Sequence, residues 1–426
     1  MPDNPIATIP VEIWRRIFEH ALDHPKLHYS CNPKDLYEFM SNYSSHRDDS
    51  QTVYKSLRAV CRSWKVLAEE FIHREALLRI RSLTSTCLHL SRASRLQCHW
   101  YSELPPGSFR HWLSEATPKL TVIDITFLVG GESETMLLDT LSAASSLSSI
   151  RSLRLRGGGR SPSSLPSLVS TGFTNLVSLE IGMLARPLAP LILPKLEILI
   201  MGIWEGYLVE GGPDFTCWSL PTLRMLGVYA GHPVQGIQLG VFRPIATKVE
   251  ALSIIYSGYS YVNNHMRKQV GMSLFENFPT LRLLFIRDTP FIVNDPVPIG
   301  HPLTEVHLSN SGSTDPVFLL ESTRFDHGSF DHKVRFVVES VTWKDIRARF
   351  SSDQGPQTLI DHHRSLNLVV VDKLGRNFEE YSREKNIKSE FPLINTVLRM
   401  CYIPFYPSSR PDLSADPTDD PTVVRR

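Results

Sequence analysis

LRMLGV at residues 223–228, VEALSI at 249–254, LRLLFI at 281–286 and LTEVHL at 303–308 share one pattern, apolar-x-x-apolar-x-apolar. It lies upstream as well, in LTVIDI from Leu120, IRSLRL from Ile150, LVSLEI from Leu176 and LEILIM from Leu196. Weaker copies begin at Val334 (VRFVVE) and Leu366 (LNLVVV). Successive copies start 20 to 32 residues apart, leaving room for one short strand and one return segment each. Several open with a proline two residues earlier: Pro118, Pro194, Pro221 and Pro279. Isolated strings of this kind occur in any leucine-rich chain, but eight clear copies at bounded spacing point to a repeat array. Each strand buries its apolar residues on one side, and stacking neighbours joins the strands into one parallel sheet.

The spacing is that of leucine-rich repeats, in an irregular form. In a regular repeat an asparagine stands three residues past the last apolar position. Here those places hold Leu128, Gly158, Leu184, Trp204, Gly231, Ser257, Thr289 and Ser311, so other groups must hold the turns. The array is expected over residues 81–403, and PFYPSSRPDLSADPTDDPTVVRR at 404–426 is expected to be disordered because it has little apolar surface to bury.

Residues 6–80 read as helical. Ile9, Ile13 and Ile17 are spaced by four, as are Trp14, Phe18 and Leu22; Pro10 and Glu12 suit a helix start. Leu57, Val60, Trp64, Leu67, Ala68 and Phe71 describe a second amphipathic helix, and a polar loop within about 24–54 separates the two. Two such helices bury little by themselves and must pack on something else.

Composition narrows the function. The 426 residues are 42% hydrophobic, and 45 Lys+Arg against 44 Asp+Glu leave a net charge of +1, which gives no support to nucleic-acid or anionic-membrane binding. Six scattered cysteines without CxxC suggest reduced thiols, and neither a signal peptide nor an apolar run near the ~20 residues of a membrane span is evident. A cytoplasmic or nuclear location is expected.

IATIPVEIWRRIFEHAL followed by LRAVCRSWKVLAEEF resembles an F-box: Ile9-Pro10, Glu12, Ile17-Phe18, Leu57, Val60-Cys61 and Trp64 fall on its pattern. Pro10 and Cys61 lie 51 residues apart, about twice the usual F-box separation, and the segment 24–54 is read as a loop extension. An F-box followed by degenerate leucine-rich repeats resembles the fungal, mushroom-type F-box proteins. The resemblance implies an α/β architecture, with a short helical F-box-like module and then an irregular leucine-rich-repeat solenoid with a parallel sheet. It implies a substrate receptor of a Skp–cullin–F-box ubiquitin ligase. A Skp-type adaptor, and through it a cullin, would dock on Ile9, Pro10, Ile13, Ile17, Phe18, Leu57, Val60, Cys61 and Trp64, while the repeats hold a protein client. The alternative is a non-catalytic scaffold whose helices only cap the array.

Catalytic motifs fail: GxxxxGK[ST], GxGxxG, HExxH and GxSxG are absent. Arg156-Gly157-Gly158-Gly159-Arg160 reads as a flexible turn rather than a phosphate cradle. Cys87-x-His89, Cys98-His99 and His362-His363 are pairs without matching partners, so no metal, no cofactor and no enzymatic activity are expected. Arg74, Arg79, Arg81, Arg92 and Arg95 read as solvated helix faces, and 376–388 as a surface helix.

Strand alternation puts Asp124, Arg154, Glu180, Ile200, Gly227, Ser253, Phe285 and His307 on the face away from the leucines, expected to be open. Just past the strands come Trp204, Tyr207, Tyr229, Tyr256, Tyr259 and Tyr261. Trp204, Tyr229, Tyr256, Tyr259, Phe285 and Arg287 are the candidate client contacts; packing between neighbouring copies is the plainer reading for each aromatic.

Overall fold

The computed structural model describes residues 10–22, 56–71, 75–80, 93–100, 120–127, 138, 141–145, 148–161, 164–184, 189–203, 215–230, 239–256, 270–287, 291–309, 320–321, 323–325, 329–339, 341–348, 350 and 354–390. The segment 24–54 and the tail 404–426 lie outside them. The chain divides into two units, 1–377 and 378–426. The unit boundary therefore falls inside the stretch that the sequence assigns to a single array ending at 403.

The first unit opens with helix α1 (Val11–Leu22) and helix α2 (Arg62–Phe71), the latter preceded by helical residues 56–60. Strands β1 (Glu75–Ile80), β2 (Arg95–Trp100), β3 (Val122–Phe127) and β4 (Ser152–Ser161) follow. Beyond helix α3 (Leu165–Gly172) come β5 (Ser178–Leu184), β6 (Leu191–Ile192), β7 (Ile198–Ile203), β8 (Trp218–Ser219), β9 (Met225–Ala230) and β10 (Ala251–Tyr256). Then come β11 (Val270–Met272), β12 (Leu283–Arg287), β13 (Phe291–Val293), β14 (Glu305–Ser309), β15 (Arg324–Phe325) and β16 (Val334–Val338). Helices α4 (Trp343–Arg347) and α5 (Gln354–Ser365) and strand β17 (Leu368–Val371) close this unit; α6 (Phe378–Glu390) belongs to the second.

Among the described residues, twelve strands form one sheet in chain order, β1-β2-β3-β4-β5-β7-β9-β10-β12-β14-β16-β17, and every neighbouring pair is parallel. The return segments carry two further small parallel sheets, the pair β6-β8 and the trio β11-β13-β15. The fold is α/β with a large parallel sheet.

The repeat pattern sets the register. From β3 to β14 each main-sheet strand starts two residues after the first apolar position of its copy. Ile123, Leu153, Leu179, Leu199, Leu226, Leu252, Leu284 and Val306 stand side by side across adjacent strands, all buried. The two weaker copies are out of phase by one, in opposite directions: the buried row runs from Val306 to Phe336 and Val370, where the pattern puts Val337 and Val369. In those copies Lys333 and Asn367 stand where a leucine would open the pattern, so the eye slides one residue along the valine run.

A tight turn leads into five of the strands. The N–H of Leu176, Leu196, Leu223, Val249 and Leu281 donates to the carbonyl three residues earlier, at 3.0–3.3 Å. Pro194, Pro221 and Pro279 occupy the second turn position, where a fixed φ suits the geometry. That accounts for the proline two residues before the leucine. Hydroxyls then tie copy to copy: Ser149 donates to the Leu120 carbonyl (2.7 Å), Thr280 to Val249 (3.0 Å), and Thr222 to both Pro194 and Leu196 (3.0 Å each).

Three expectations are corrected. Glu75–Ile80, read as the end of a helical segment, is β1, and Arg79 lies on it; Arg95 lies on β2, not on a helix face. These strands carry no full copy of the leucine pattern, so only pairing with their neighbours reveals them. Arg156–Arg160 is not a turn but part of β4, where the pairing with β5 slips between Leu155 and Arg160. The face opposite the leucines is not open: Asp124, Arg154, Glu180, Ile200, Ser253, Phe285 and His307 are all buried. Alternation assigns them to the correct side, but parallel sheets are characteristically buried on both faces.

Two outcomes are expected. Thr222→Val removes the hydroxyl bridge at nearly constant shape and should cost about 1 kcal/mol in denaturant unfolding; an unchanged midpoint would show the ties to be idle. His363, on α5, is buried against the Phe336 ring (5.3 Å), and burial pushes its imidazole down to about 4. The neutral form is favoured in the folded state, so this stability is complete above the ordinary value and lost as pH falls from 6.5 toward 4. Across that span wild type should lose up to about 3 kcal/mol that His363→Gln does not lose.

Candidate functional site

Two places concentrate unusual chemistry. The first is the helix pair. The Pro10 carbonyl accepts from the N–H of Ile13 and Trp14, starting α1. Phe18, Leu67 and Ala68 form a small closed core, with Trp14, Leu57 and Trp64 packed against it. The Trp64 ring lies 4.7 Å from Trp14 and 5.2 Å, edge-on, from Phe18. That interior consumes one stripe of each helix. Outside it Val11, Ile13, Ile17, Val60 and Val66 remain 43–57% exposed, together with Pro10 and Cys61. Scattered exposed apolar residues are ordinary; here five lie on one helix pair and the helical residues that lead into it.

The nine residues assigned to adaptor binding therefore separate. Pro10, Ile13, Ile17, Val60 and Cys61 are on the surface. Leu57 and Trp64 are half-buried, and Phe18 is fully buried, so Phe18 shapes the helix pair instead of touching a partner. Ile9 lies outside the described residues.

The second place is the buried face opposite the leucines. On four adjacent strands, Arg95 (β2), Asp124 (β3), Arg154 and Arg156 (β4) and Glu180 (β5) form a continuous charged ladder. Arg95 Nη2 meets Asp124 Oδ2 at 3.0 Å, and Arg154 Nη1 reaches the same oxygen at 3.8 Å. Arg154 Nε lies 3.2 Å from Glu180 Oε2, while Arg156 donates Nε to Oε1 (2.8 Å) and Nη2 to Oε2 (3.2 Å). Three cations alternate with two anions, and both carboxylates sit between guanidinium groups.

Burial sets the electrostatics. It pulls Arg95 down to about 10 despite the opposing charge of Asp124, and it lowers Arg154 as well. Burial also works against the Arg156 charge, but Glu180 and then Asp124 outweigh it and hold that group above its ordinary value. Tyr229, on β9, is pushed up to about 12, first by burial and then by Glu180, so its phenol stays protonated.

Past β5 the face turns apolar: Ile198, Ile200, Met225, Ala251 and Phe285 form a cluster, with Tyr229 and Leu283 against it. Gly227 belongs to this packing, since a Cβ there would come within 3.0 Å of Ile200 Cγ1. The Phe285 ring lies 4.6 Å from that of His307, whose nitrogens meet Glu305 (2.8 Å) and Glu339 (2.9 Å).

Phe285 is thus a core residue and is withdrawn from the surface contacts expected for a client. Tyr229 and Arg287 are half-buried near the carboxyl ends of their strands; Tyr256 ends β10, and Trp204 and Tyr259 lie outside the described residues. Aligning the repeat copies already sets Asp124, Arg154 and Glu180 in one row; Arg95 and Arg156, expected on a helix face and in a turn, are the members that only the strand pairing adds. Among the described residues, no group of three or more His, Cys, Asp or Glu is arranged to hold a metal ion, and no helix is long and apolar enough to cross a membrane.

No protein-family model matches the chain, and no curated protein is significantly similar to it.

The ladder generates a contrast. Glu180→Gln leaves the buried Arg154 and the half-buried Arg156 without their shared carboxylate and should cost about 3 kcal/mol. Glu250→Gln breaks the pair that Glu250 forms with Arg224 at 2.9 Å, but both side chains there are well exposed and the loss should stay below about 1 kcal/mol. Equal losses in thermal or denaturant unfolding would overturn this assignment.

Proposed function

We propose that the chain is the substrate-recognition subunit of a Skp–cullin–F-box ubiquitin ligase. In this reading residues 11–71 form an F-box-like module that docks a Skp-type adaptor, and the strands from β1 onward form an irregular leucine-rich-repeat solenoid that holds a protein client. The observation that carries it is the exposed apolar set Val11, Ile13, Ile17, Val60 and Val66 on a helix pair that has already closed its own core. Helices serving only to cap the array would turn Ile13 and Ile17 inward as a first core layer. Exposed at 45% and 43%, they suit a partner instead.

Mechanistically the chain contributes proximity and no chemistry of its own. Holding adaptor and client on one body raises the local concentration of client lysines near a ubiquitin-charged partner subunit, which converts an encounter into an intramolecular step. Client contact is assigned to the carboxyl ends of the strands, around Tyr229 and Arg287, because the strand face itself is filled.

Ile13→Ala combined with Ile17→Ala tests the reading. In a pulldown with purified Skp-type adaptor, the double variant should lose at least about tenfold in affinity, the scale expected for removing two central apolar anchors. Its melting temperature should stay close to wild type, since neither side chain is in the core. Unchanged binding, or no binding by wild type, would leave the scaffold alternative standing.

A further inference from the structure

Two histidines on consecutive turns grip the backbone of the same residue, Leu303, with opposite requirements for protonation. His301 accepts the N–H of Leu303 at Nδ1 (3.3 Å) and lies 3.1 Å through Nε2 from the Phe278 carbonyl. A carbonyl only accepts, so both bonds form only in the neutral Nε2–H imidazole. His332 faces the carbonyl of the same Leu303 through Nε2 (2.7 Å) and the Asp331 carboxylate through Nδ1 (2.7 Å). Both partners are acceptors, so His332 makes both bonds only as the doubly protonated imidazolium.

The surroundings fix these partners. Pro298 and His301 close a tight turn in which Gly300 takes φ +76°, a conformation that suits glycine, and the Gly300 N–H donates to the other Asp331 oxygen (2.7 Å). Asp331 therefore binds the His301 turn and His332 at once. The His301 ring stands edge-on to Phe275 at 4.7 Å.

We propose that the Phe278–Leu303–His332 joint is a pH-gated clasp of the array, fully bonded only while His301 is neutral and His332 is charged. Below that window, protonated His301 can no longer accept from Leu303. Above it, neutral His332 has one proton for two acceptors and must release either the Leu303 carbonyl or Asp331. The joint links β14 to the copies on both sides, so loosening it frees the strand-to-strand turn without unfolding the sheet.

The charges acting on the pair agree in sign. Burial lowers His301 despite its bond to the Phe278 carbonyl and the nearby Asp295, and His332 disfavours its charge further. Asp331 raises His332, helped by the Leu303 carbonyl, and is itself held low by His332 and the Gly300 N–H. A lowered histidine contributes stability that is lost as pH falls through its folded value; a raised one contributes stability that is lost as pH rises through its folded value.

The test is a histidine-resolved NMR titration of the full chain with amide exchange at Leu303, expressed as protection relative to the intrinsic rate at each pH. His301 should titrate below the ordinary 6.5 and His332 above it. Leu303 protection should pass through a maximum between them and fall about fivefold on each side, the scale of one net hydrogen bond. His332→Asn retains a donor that does not titrate and should abolish the alkaline fall; His301→Gln should abolish the acid fall. Coincident titrations near 6.5, or protection that is flat or falls on one side only, would overturn the clasp. Should either variant fail to fold, the wild-type titration decides alone.

Discussion

A parallel strand cannot pair within its own copy; its hydrogen bonds run to the copies before and after it. That constraint governs this molecule. An unbroken chain of main-chain bonds crosses the sheet at one level, from Arg151 to Thr121, Val177 to Arg151, Glu197 to Val177, and on through Arg224, Glu250, Arg282, Thr304 and Arg335, each at 2.8–2.9 Å. Every copy must present its strand in phase with both neighbours, and the buried leucine row records that phase. The tight turns and hydroxyl ties are secondary devices that bring each strand to its starting level. They vary in chemistry, with proline, threonine, serine or histidine, because only the level has to be kept.

This explains what the sequence discloses. The strands from β3 to β14 were legible because three apolar residues per copy at fixed phase are a demand of the sheet's buried face. The two initial strands were not, because their places in the array are set by pairing, which no local pattern announces. The last two copies depart from the pattern by one residue because an unbroken apolar run, as in Leu368–Val371, satisfies several phases equally. The second face lies on the side that strand alternation assigns, yet it is closed. Alternation reports which way a side chain points but says nothing of what lies over it.

The helix pair shows the same limit on a smaller scale. Helical spacing selected Ile13, Ile17, Phe18 and Trp64 alike as apolar, yet a pair of helices needs only one stripe from each to close. Phe18 takes the interior with the Trp64 ring edge-on to it and Trp14 tilted against Trp64, and the smaller aliphatic residues are left outside. Which members of an apolar set face a partner follows from volume and ring geometry, neither of which periodicity carries. The resemblance that suggested adaptor docking marks positions without separating the residues that shape the module from those that would touch the partner.

The buried ladder from Arg95 to Glu180 bears on why this face is closed at all. Apolar residues could fill it, as Ile200, Met225 and Phe285 do further along, and a buried ion network is a weak source of net stability. Its value lies in selection. A leucine row tolerates a shift of two residues along a strand, since the same face still meets the core. The ladder tolerates it in one direction only: a shift of β4 that sets Ser152 between Asp124 and Glu180 carries Arg154 away and strands buried charge, whereas the opposite shift puts Arg156 in its place. The slip in pairing between Leu155 and Arg160 begins at the far end of the ladder, beside Arg156, where β4 leaves the phase of β5. Arg154, held between Asp124 and Glu180, thus favours the observed register next to an irregular run of three glycines, where the leucine pattern alone is least able to hold it.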